Sequence, residues 1–179
     1  RRHTRLLTVT GVQTCALPIL IAGTLSNLGT AEASARKFDP GIQHLHDAIA
    51  QMESLIAKKP DNTSFQHAVM LMWAHLADAY GDYGEDAKAM ESAARFVEIA
   101  RAQSRLNPND QRAAADLGIA LVKMVSYVPE PKLQDQSGAL REALSILGPA
   151  AVKNPKNAET RIFQAFAELK YGQALAASG

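Results

Sequence analysis

The chain has 179 residues, of which 47% are hydrophobic, and a formal net charge of +1 at pH 7. This length allows one domain with its own core, and the near-zero charge argues against nucleic acid or an anionic membrane surface as partner. A single cysteine, Cys15, excludes an internal disulfide framework and a cysteine-rich zinc site. The apolar stretch over residues 16–25 is shorter than the roughly 20 residues that span a bilayer, so we expect no membrane span.

Residues 1–19 differ from the rest of the chain, because they contain arginines, no acidic residue and no helical period. Residues 9–19 resemble the translation of a common sequencing adapter. A secretory signal, with Arg1, Arg2 and Arg5 as its charged region, is the alternative interpretation. We expect residues 1–19 to be a non-native segment, and a truncated first helix to cover about residues 20–35.

The remaining chain repeats itself with a fixed period. Pro60, Pro108 and Pro155 are 48 and 47 residues apart, and each is followed within two residues by Asn or Asp. A proline cannot continue the preceding helix, and the Asn or Asp can cap the next one. Such a period is typical of stacked repeats. It divides the chain into a partial unit 20–60, complete units 61–108 and 109–155, and a partial unit 156–179.

Each unit contains two helical patterns, here named helix A (after the proline) and helix B. Asp39 and Pro40 are suited to the cap and first position of the first helix B. The later predicted helices cover residues 62–80, 85–106, 110–128, 137–152 and 158–177. Apolar residues recur at equal distances from each proline, such as Leu76, Met124 and Tyr171 sixteen residues after it. Because neither helix can bury this stripe alone, neighbouring helices must stack on it.

Residues 77–84, with Ala87, Ala94 and the turn 107–110, resemble a tetratricopeptide repeat, as do the Leu-Gly pairs at 28–29 and 117–118. The resemblance implies an all-α fold, a right-handed α-solenoid of antiparallel helix pairs, whose A helices line a groove for a protein partner. Two features depart from the family. The usual period is about 34 residues, and residues 129–136 replace a tight turn. These departures resemble the repeat tails of some bacterial serine/threonine kinases.

No residue pattern predicts catalysis, a cofactor or a metal site. His44 and His46 are two positions apart, so on a helix they point about 200° apart and cannot share a metal. His67 and His75 lack the His-Glu-x-x-His spacing, and no kinase signature is present. A small helical hydrolase or metal protein, the rival class, would need a clustered acid, base or ligand set.

Three columns of polar residues recur on one face of helix A, away from its apolar stripe. Fifteen residues after the prolines stand His75, Lys123 and Lys170; eighteen after stand Asp78, Ser126 and Gln173; four after stand Ser64, Arg112 and Glu159. The family resemblance implies that this face lines a groove, in which Phe163 or Phe166 could contact a partner. A merely solvated face is the alternative.

The sequence therefore predicts a non-catalytic protein-interaction scaffold that binds a peptide or partner domain, with an acidic or C-terminal-carboxylate peptide expected from the basic column. The alternative is a regulatory or sensory tail of a larger signalling enzyme, such as a bacterial serine/threonine kinase. We expect a cytoplasmic location, or an exported or membrane-tethered one if a preceding segment supplies a signal or anchor. A bacterial origin and a fragmentary chain are also expected.

Overall fold

The computed structural model describes residues 11–177, which form seven α-helices and one short 3-10 helix and contain no strand. The α-helices are α1 (Gly11–Ser34), α2 (Phe38–Lys58), α3 (Thr63–Tyr83), α4 (Asp86–Leu106), α5 (Gln111–Ser126), α6 (Ser137–Lys153) and α7 (Ala158–Ala176). The 3-10 helix, Glu130–Gln136, connects α5 to α6. Helices α1, α3, α5 and α7 are the A helices, and α2, α4 and α6 are the B helices.

Every helix packs against the next one along the chain, and α1 also contacts α3 as α5 contacts α7. Short connections between packed helices make the neighbours antiparallel. The predicted all-α solenoid of helix pairs is therefore confirmed. Its right-handed sense stays a prediction.

At each repeat junction, the predicted residue caps the start of the next helix. The side-chain oxygen of Asn62 accepts from the backbone N–H groups two and three positions on, at 3.1 and 3.2 Å, and that of Asp110 does the same at 2.9 and 3.3 Å. Asn157 accepts from the N–H of Thr160 at 3.1 Å. Each cap satisfies N–H groups that a helix start leaves unpaired, so every proline is followed by a defined new helix.

Three helix ends differ from the prediction. Helix α2 begins at Phe38 and not after Asp39, and its start has no side-chain cap; the Phe38 ring instead stacks on Tyr83 at 4.9 Å between ring centroids. Helix α3 continues to Tyr83, where Gly84 at φ 90° lets the N–H of Glu85 donate to the carbonyl of Tyr80. Helix α5 stops at Ser126, before the expected end at 128.

Helix α1 begins at Gly11, so the expectation of a helix start near residue 20 is wrong. Pro18 lies inside this helix, and Ile19 packs against the buried core of the first units. Residues 1–10 lie outside the described residues. The interpretation of residues 1–19 as non-native stays a prediction.

The core consists of two clusters that follow one another along the array. One centres on residues such as Leu45, Met52 and Leu76, and the other on residues such as Leu121 and Leu147. Trp73 and Ile99 pack against both clusters. The core is therefore continuous from one repeat to the next.

Two helix crossings bring a glycine of helix A close to the paired helix B. A Cβ on Gly29 would lie 2.6 Å from the backbone oxygen of Gly41, and a Cβ on Gly118 would lie 2.8 Å from the side chain of Leu147. In both cases the paired helix B passes directly over the glycine of helix A. This close approach accounts for the glycines of the two Leu-Gly pairs.

We predict that Gly29→Ala lowers the free energy of unfolding by about 1–3 kcal/mol, because a backbone oxygen cannot move aside as a side chain can. Gly23→Ala, on the same helix, is the matched control: a Cβ there meets nothing within 4 Å. It should raise stability by about 0.5–1 kcal/mol through helix propensity alone. Urea unfolding of both variants measures the difference, and equal effects would contradict the close crossing.

We predict that Phe96→Ala lowers the free energy of unfolding by about 3–5 kcal/mol. Phe96 is only 2% exposed and lies in the second core cluster, so its truncation leaves a cavity between stacked repeats. Chemical denaturation gives the value. A loss below about 1 kcal/mol would mean that the cavity collapses or that helix α4 does not hold the two repeats together.

Candidate functional site

The A-face, defined here as the face of the A helices that carries the three polar columns, is continuous across the array. Ser26 on α1 lies 3.4 Å from the Nδ1 atom of His75 on α3. Lys123 on α5 reaches back to Asp78 on α3, and its Nζ atom also lies 5.9 Å from the centre of the Phe163 ring on α7. Side chains of four successive A helices thus meet on one surface.

Asp78 is the centre of the polar contacts on the A-face. The Nζ atom of Lys123 donates to both carboxylate oxygens, at 2.5 and 2.6 Å, and the Tyr127 hydroxyl donates to one of them at 2.9 Å. The side chain of Lys123 is only 19% exposed. The charge of Lys123 is therefore largely neutralised inside the array and is not free to attract a ligand.

Tyr127 is a member of this cluster that the sequence reasoning missed. Burial, followed by the negative charge of Asp78 and the hydrogen bond to it, raises the pKa of Tyr127, so its hydroxyl stays protonated and donates. A Cβ on Gly81 would lie 2.5 Å from the Tyr127 ring, so this glycine makes the space for the tyrosine. The available signal was Gly81, which lies between the predicted helices 62–80 and 85–106.

His75 occupies the first position of the predicted basic column. Its ring is half-buried, and this burial is the main cause that lowers its pKa; Asp78 acts in the opposite direction, and Lys123 in the same one. A histidine with a lowered pKa is neutral near pH 7. The column therefore has a neutral His75 and a paired Lys123 where two cations were expected.

The third member of the column, Lys170, lies on α7 beside the half-buried ring of Phe166. Its Nζ atom is 5.6 Å from the centre of the Phe166 ring, one helical turn away, and Phe163 is the ring under Lys123. A cation over an aromatic face is stabilised by about 0.5–1 kcal/mol at exposed sites. This end of the A-face combines positive charge with apolar surface.

Arg112, from the column four residues after the prolines, takes part in a second cluster. Its Nη2 atom donates to the Nε2 atom of His67 at 2.6 Å, and the Nδ1 atom of His67 lies 3.6 Å from a carboxylate oxygen of Asp116. His67 and Asp116 were missed, although Asp116 is one helical turn from Arg112. This bridge joins α3 to α5 at the N-terminal ends of the A helices.

Two clefts open beside the Arg112 bridge. One, of about 530 Å³, has Leu71, Ile119 and Glu159 among its lining residues, and the other, of about 430 Å³, has Ser64. Burial is the largest cause that lowers the pKa of His67 and raises that of Asp116. Both shifts favour the neutral forms, and the cleft walls combine a cation, Arg112, with a carboxyl group, Asp116, rather than a row of cations.

Of the remaining predicted residues, Ser126 borders the Asp78 cluster through a side-chain hydrogen bond with Tyr127, and Gln173 joins neither cluster. The Ser126 hydroxyl donates to the carbonyl of Lys123 in its own helix at 2.6 Å, and the Gln173 side chain is exposed. Within residues 11–177, no three His, Cys, Asp or Glu side chains come together in a way that could hold a metal ion. No helix in the same part of the chain has the length and apolar character to cross a membrane.

We predict that acidification from about pH 7.5 to about pH 5.5 destabilises the fold through His67 and His75. Both have folded-state pKa values below the ordinary 6.5, so in this range the unfolded chain binds more protons and the free energy of unfolding falls. A His67→Gln, His75→Gln double variant should lose part of this dependence in urea titrations. Asp116, whose pKa is raised, acts in the opposite sense at lower pH. Identical pH slopes for both proteins would contradict the prediction.

No protein-family model and no curated protein sequence matches the chain. Thirteen chains of solved structures match it. One is the C-terminal TPR-containing domain of a Plasmodium falciparum protein named as an FK506-binding protein; it is 18% identical over 89% of this chain and 93% of that one, with a TM-score of 0.47. The helix pairs and the repeated register of the chain itself show that this is an all-helical repeat protein built from stacked antiparallel helix pairs.

Proposed function

We propose that the protein is a non-catalytic interaction scaffold that binds an extended segment of a partner protein along the A-face. The observation that carries this proposal is the continuous contact of polar and aromatic side chains across α1, α3, α5 and α7. Such a surface is lined by rigid helices, so its side chains are already positioned before a ligand arrives. Preorganisation of this kind lowers the entropic cost of binding.

The repeat geometry fits an extended peptide. Neighbouring packed helices have axes about 8–10 Å apart, and an extended chain advances about 3.3 Å per residue. About every third residue of a peptide would therefore meet the equivalent position of the next A helix. Phe163 and Phe166, which are half-buried and lie beside lysines, would supply the apolar anchor that such complexes need.

The charges on the A-face give the peptide a preferred position. Because Asp78 pairs with Lys123, an acidic side chain or a C-terminal carboxylate would be attracted mainly by Lys170 at the α7 end. The mixed cleft around Arg112 and Asp116 would accept a polar side chain of either sign. The proposed ligand is therefore a peptide with one acidic group near its aromatic-binding end, and not a uniformly acidic peptide.

We predict that Lys170→Glu weakens binding of acidic peptides by about two- to fivefold at low salt, which corresponds to an exposed ion pair of about 0.2–1 kcal/mol. Lys123→Met should change peptide selection much less, because the Lys123 charge is already paired. The measurement is a selection from a peptide library followed by titration calorimetry at low and high salt. At high salt, the added ions shield the Lys170 charge, so the effect of the substitution should disappear.

Lys153→Glu is the matched control, because Lys153 is an exposed lysine in the last turn of α6, on a B helix. This variant should select the same peptides as the wild type. If Lys170→Glu and the wild type select identical peptides with equal affinity, the A-face is only a solvated surface. If Lys123→Met has the larger effect, the pairing with Asp78 does not neutralise the lysine.

A further inference from the structure

The hydrogen bond between Arg112 and His67 depends on the protonation state of the imidazole. The Nη2 atom of Arg112 donates to the Nε2 atom of His67 at 2.6 Å. A guanidinium can only donate, so Nε2 is the unprotonated nitrogen and the proton of the neutral ring lies on Nδ1. A protonated imidazole has no acceptor nitrogen. This bond between α3 and α5 therefore exists only while His67 is neutral.

The other ring nitrogen already faces an acceptor that suits a charged ring. The Nδ1 atom of His67 lies 3.6 Å from a carboxylate oxygen of Asp116, one helical turn after Arg112 on α5. When the ring is protonated, this long contact becomes an ion pair, because both groups then carry charge. Protonation thus breaks the bond with Arg112 and strengthens the contact with Asp116. The connection between α3 and α5 is kept, but the α5 residue that makes it changes.

The charged groups around His67 lie on α5 and α7. Arg112 opposes a positive charge on the ring, whereas Asp116 and the cap residue Asp110 favour it. On α7, Glu159 lines the second cleft together with Arg112 and Asp116. The other residues that line the two clefts, including those from α4 and α6, are uncharged. A protonated His67 is therefore surrounded by three carboxyl groups and one guanidinium.

Two pKa shifts define the pH range of this exchange. Burial is the largest cause that lowers the pKa of His67 from its ordinary 6.5, and the largest that raises the pKa of Asp116 from 3.8. The exchange requires a protonated His67 beside an ionised Asp116. It therefore occurs below the pKa of His67 and above that of Asp116, which places it in mildly acidic solution.

Release of the guanidinium changes what the A-face presents to a ligand. Arg112 is exposed and borders both clefts, so its donors become available at the surface once they leave His67. The fork of N–H groups on a guanidinium suits a carboxylate or another oxyanion. Glu159, exposed on the wall of the second cleft, is the internal competitor for this cation. In mild acid, Arg112 thus joins Lys170 as a cation that attracts acidic groups to the A-face.

We propose that protonation of His67 is a switch that releases Arg112 and raises the affinity of the A-face for acidic ligands as the pH falls. The statement about ligand affinity rests on the function proposed above, whereas the exchange of bonds around His67 does not. The direction is specific, because a ligand held by permanently charged groups alone would show no such rise. The A-face of the array is then a surface whose charge is set by one histidine.

NMR spectroscopy observes the exchange of bonds directly. The labelled chain of residues 1–179 is titrated from about pH 7.5 to about pH 5, and the ring nitrogens of His67 and the guanidinium nitrogens of Arg112 are followed. The neutral ring should have its proton on Nδ1, and the Arg112 signals should change with the His67 midpoint. Arg112 signals that ignore this midpoint would overturn the proposal. So would a loss of helix at the midpoint in circular dichroism, because protonation would then unfold the array.

Two variants test the partners that the ring exchanges. Asp116→Asn removes the anion that stabilises the charged ring, so the His67 midpoint should fall by about 0.5 pH unit or more. Arg112→Gln removes the cation that opposes this charge, so the midpoint should rise. His46→Gln is the matched control, at an exposed histidine of α2 whose contact is Tyr80, and should leave the midpoint unchanged. Shifts in the same direction for the first two variants would contradict the exchange.

Sulfate is the probe for the released guanidinium, because it keeps its double charge throughout the titration. Its affinity is measured from the Arg112 chemical shifts at constant ionic strength, at pH values on either side of the His67 midpoint. It should rise about two- to fivefold on the acid side. His67→Gln should abolish the rise, because its amide oxygen accepts from Arg112 at every pH. His75→Gln, at the other histidine of the A-face, should retain it. An equal rise in His67→Gln would overturn the proposal.

An acidic peptide then tests the link to the A-face. The peptide is the strongest acidic binder from the library selection, and its affinity should rise in the wild type by a similar factor and stay constant in His67→Gln. If no peptide is selected, the proposed function fails, while the NMR and sulfate measurements still decide on the switch. If the affinity for sulfate rises and the affinity for the peptide does not, Arg112 is released away from the ligand, and the proposed control of binding is overturned.

Discussion

The structure depends on one constraint: an A helix has apolar residues on two sides and can bury both only between two B helices. Helix α5 contacts both α4 and α6, and its Leu117, Ala120, Val122 and Val125 are all buried in one core cluster. Burial of one of the larger apolar side chains contributes about 1.5–3 kcal/mol to the free energy of folding. No helix pair is stable by itself under this constraint, and the array has to be built by stacking.

The same constraint decides where polar residues can be. Because two sides of each A helix are covered by B helices, only the A-face is available for polar side chains. To contact the next A helix, these side chains must span the gap between the two helices. Long side chains such as Lys123 and Arg112 bridge that gap, while short ones such as Ser126 bond to their own helix. The polar clusters are thus a consequence of helix spacing, and any ligand must compete with, or add to, these existing bonds.

Sequence reasoning was reliable where the physical cause is local. The caps Asn62, Asp110 and Asn157 act on N–H groups within three residues, and the repeat period follows from the stripe that each helix must bury. It failed at α1, where the adapter resemblance suggested a start near residue 20. It also failed at the start of α2, where Phe38 finds its stacking partner, Tyr83, far along the chain.

The charge of the candidate site was the least predictable property, because it depends on pairs across helices. The columns correctly placed His75, Lys123 and Lys170 on one face, but the spacing from the prolines says nothing about the distance between Lys123 and Asp78. Nor does it show that α5 ends at Ser126 and so releases Tyr127 to donate to Asp78. Periodicity specifies the face of a residue, and only the packed structure specifies its partner.

Trp73 is the only tryptophan of the chain and packs against both core clusters, with Arg95 over its ring. Its indole therefore lies at the boundary between the two halves of the array. The intrinsic fluorescence of the protein consequently reports the coupling between these halves and not the state of either one alone. In a repeat array, where nearest-neighbour interfaces govern cooperativity, a natural optical probe is already located at the interface that decides whether the halves melt together.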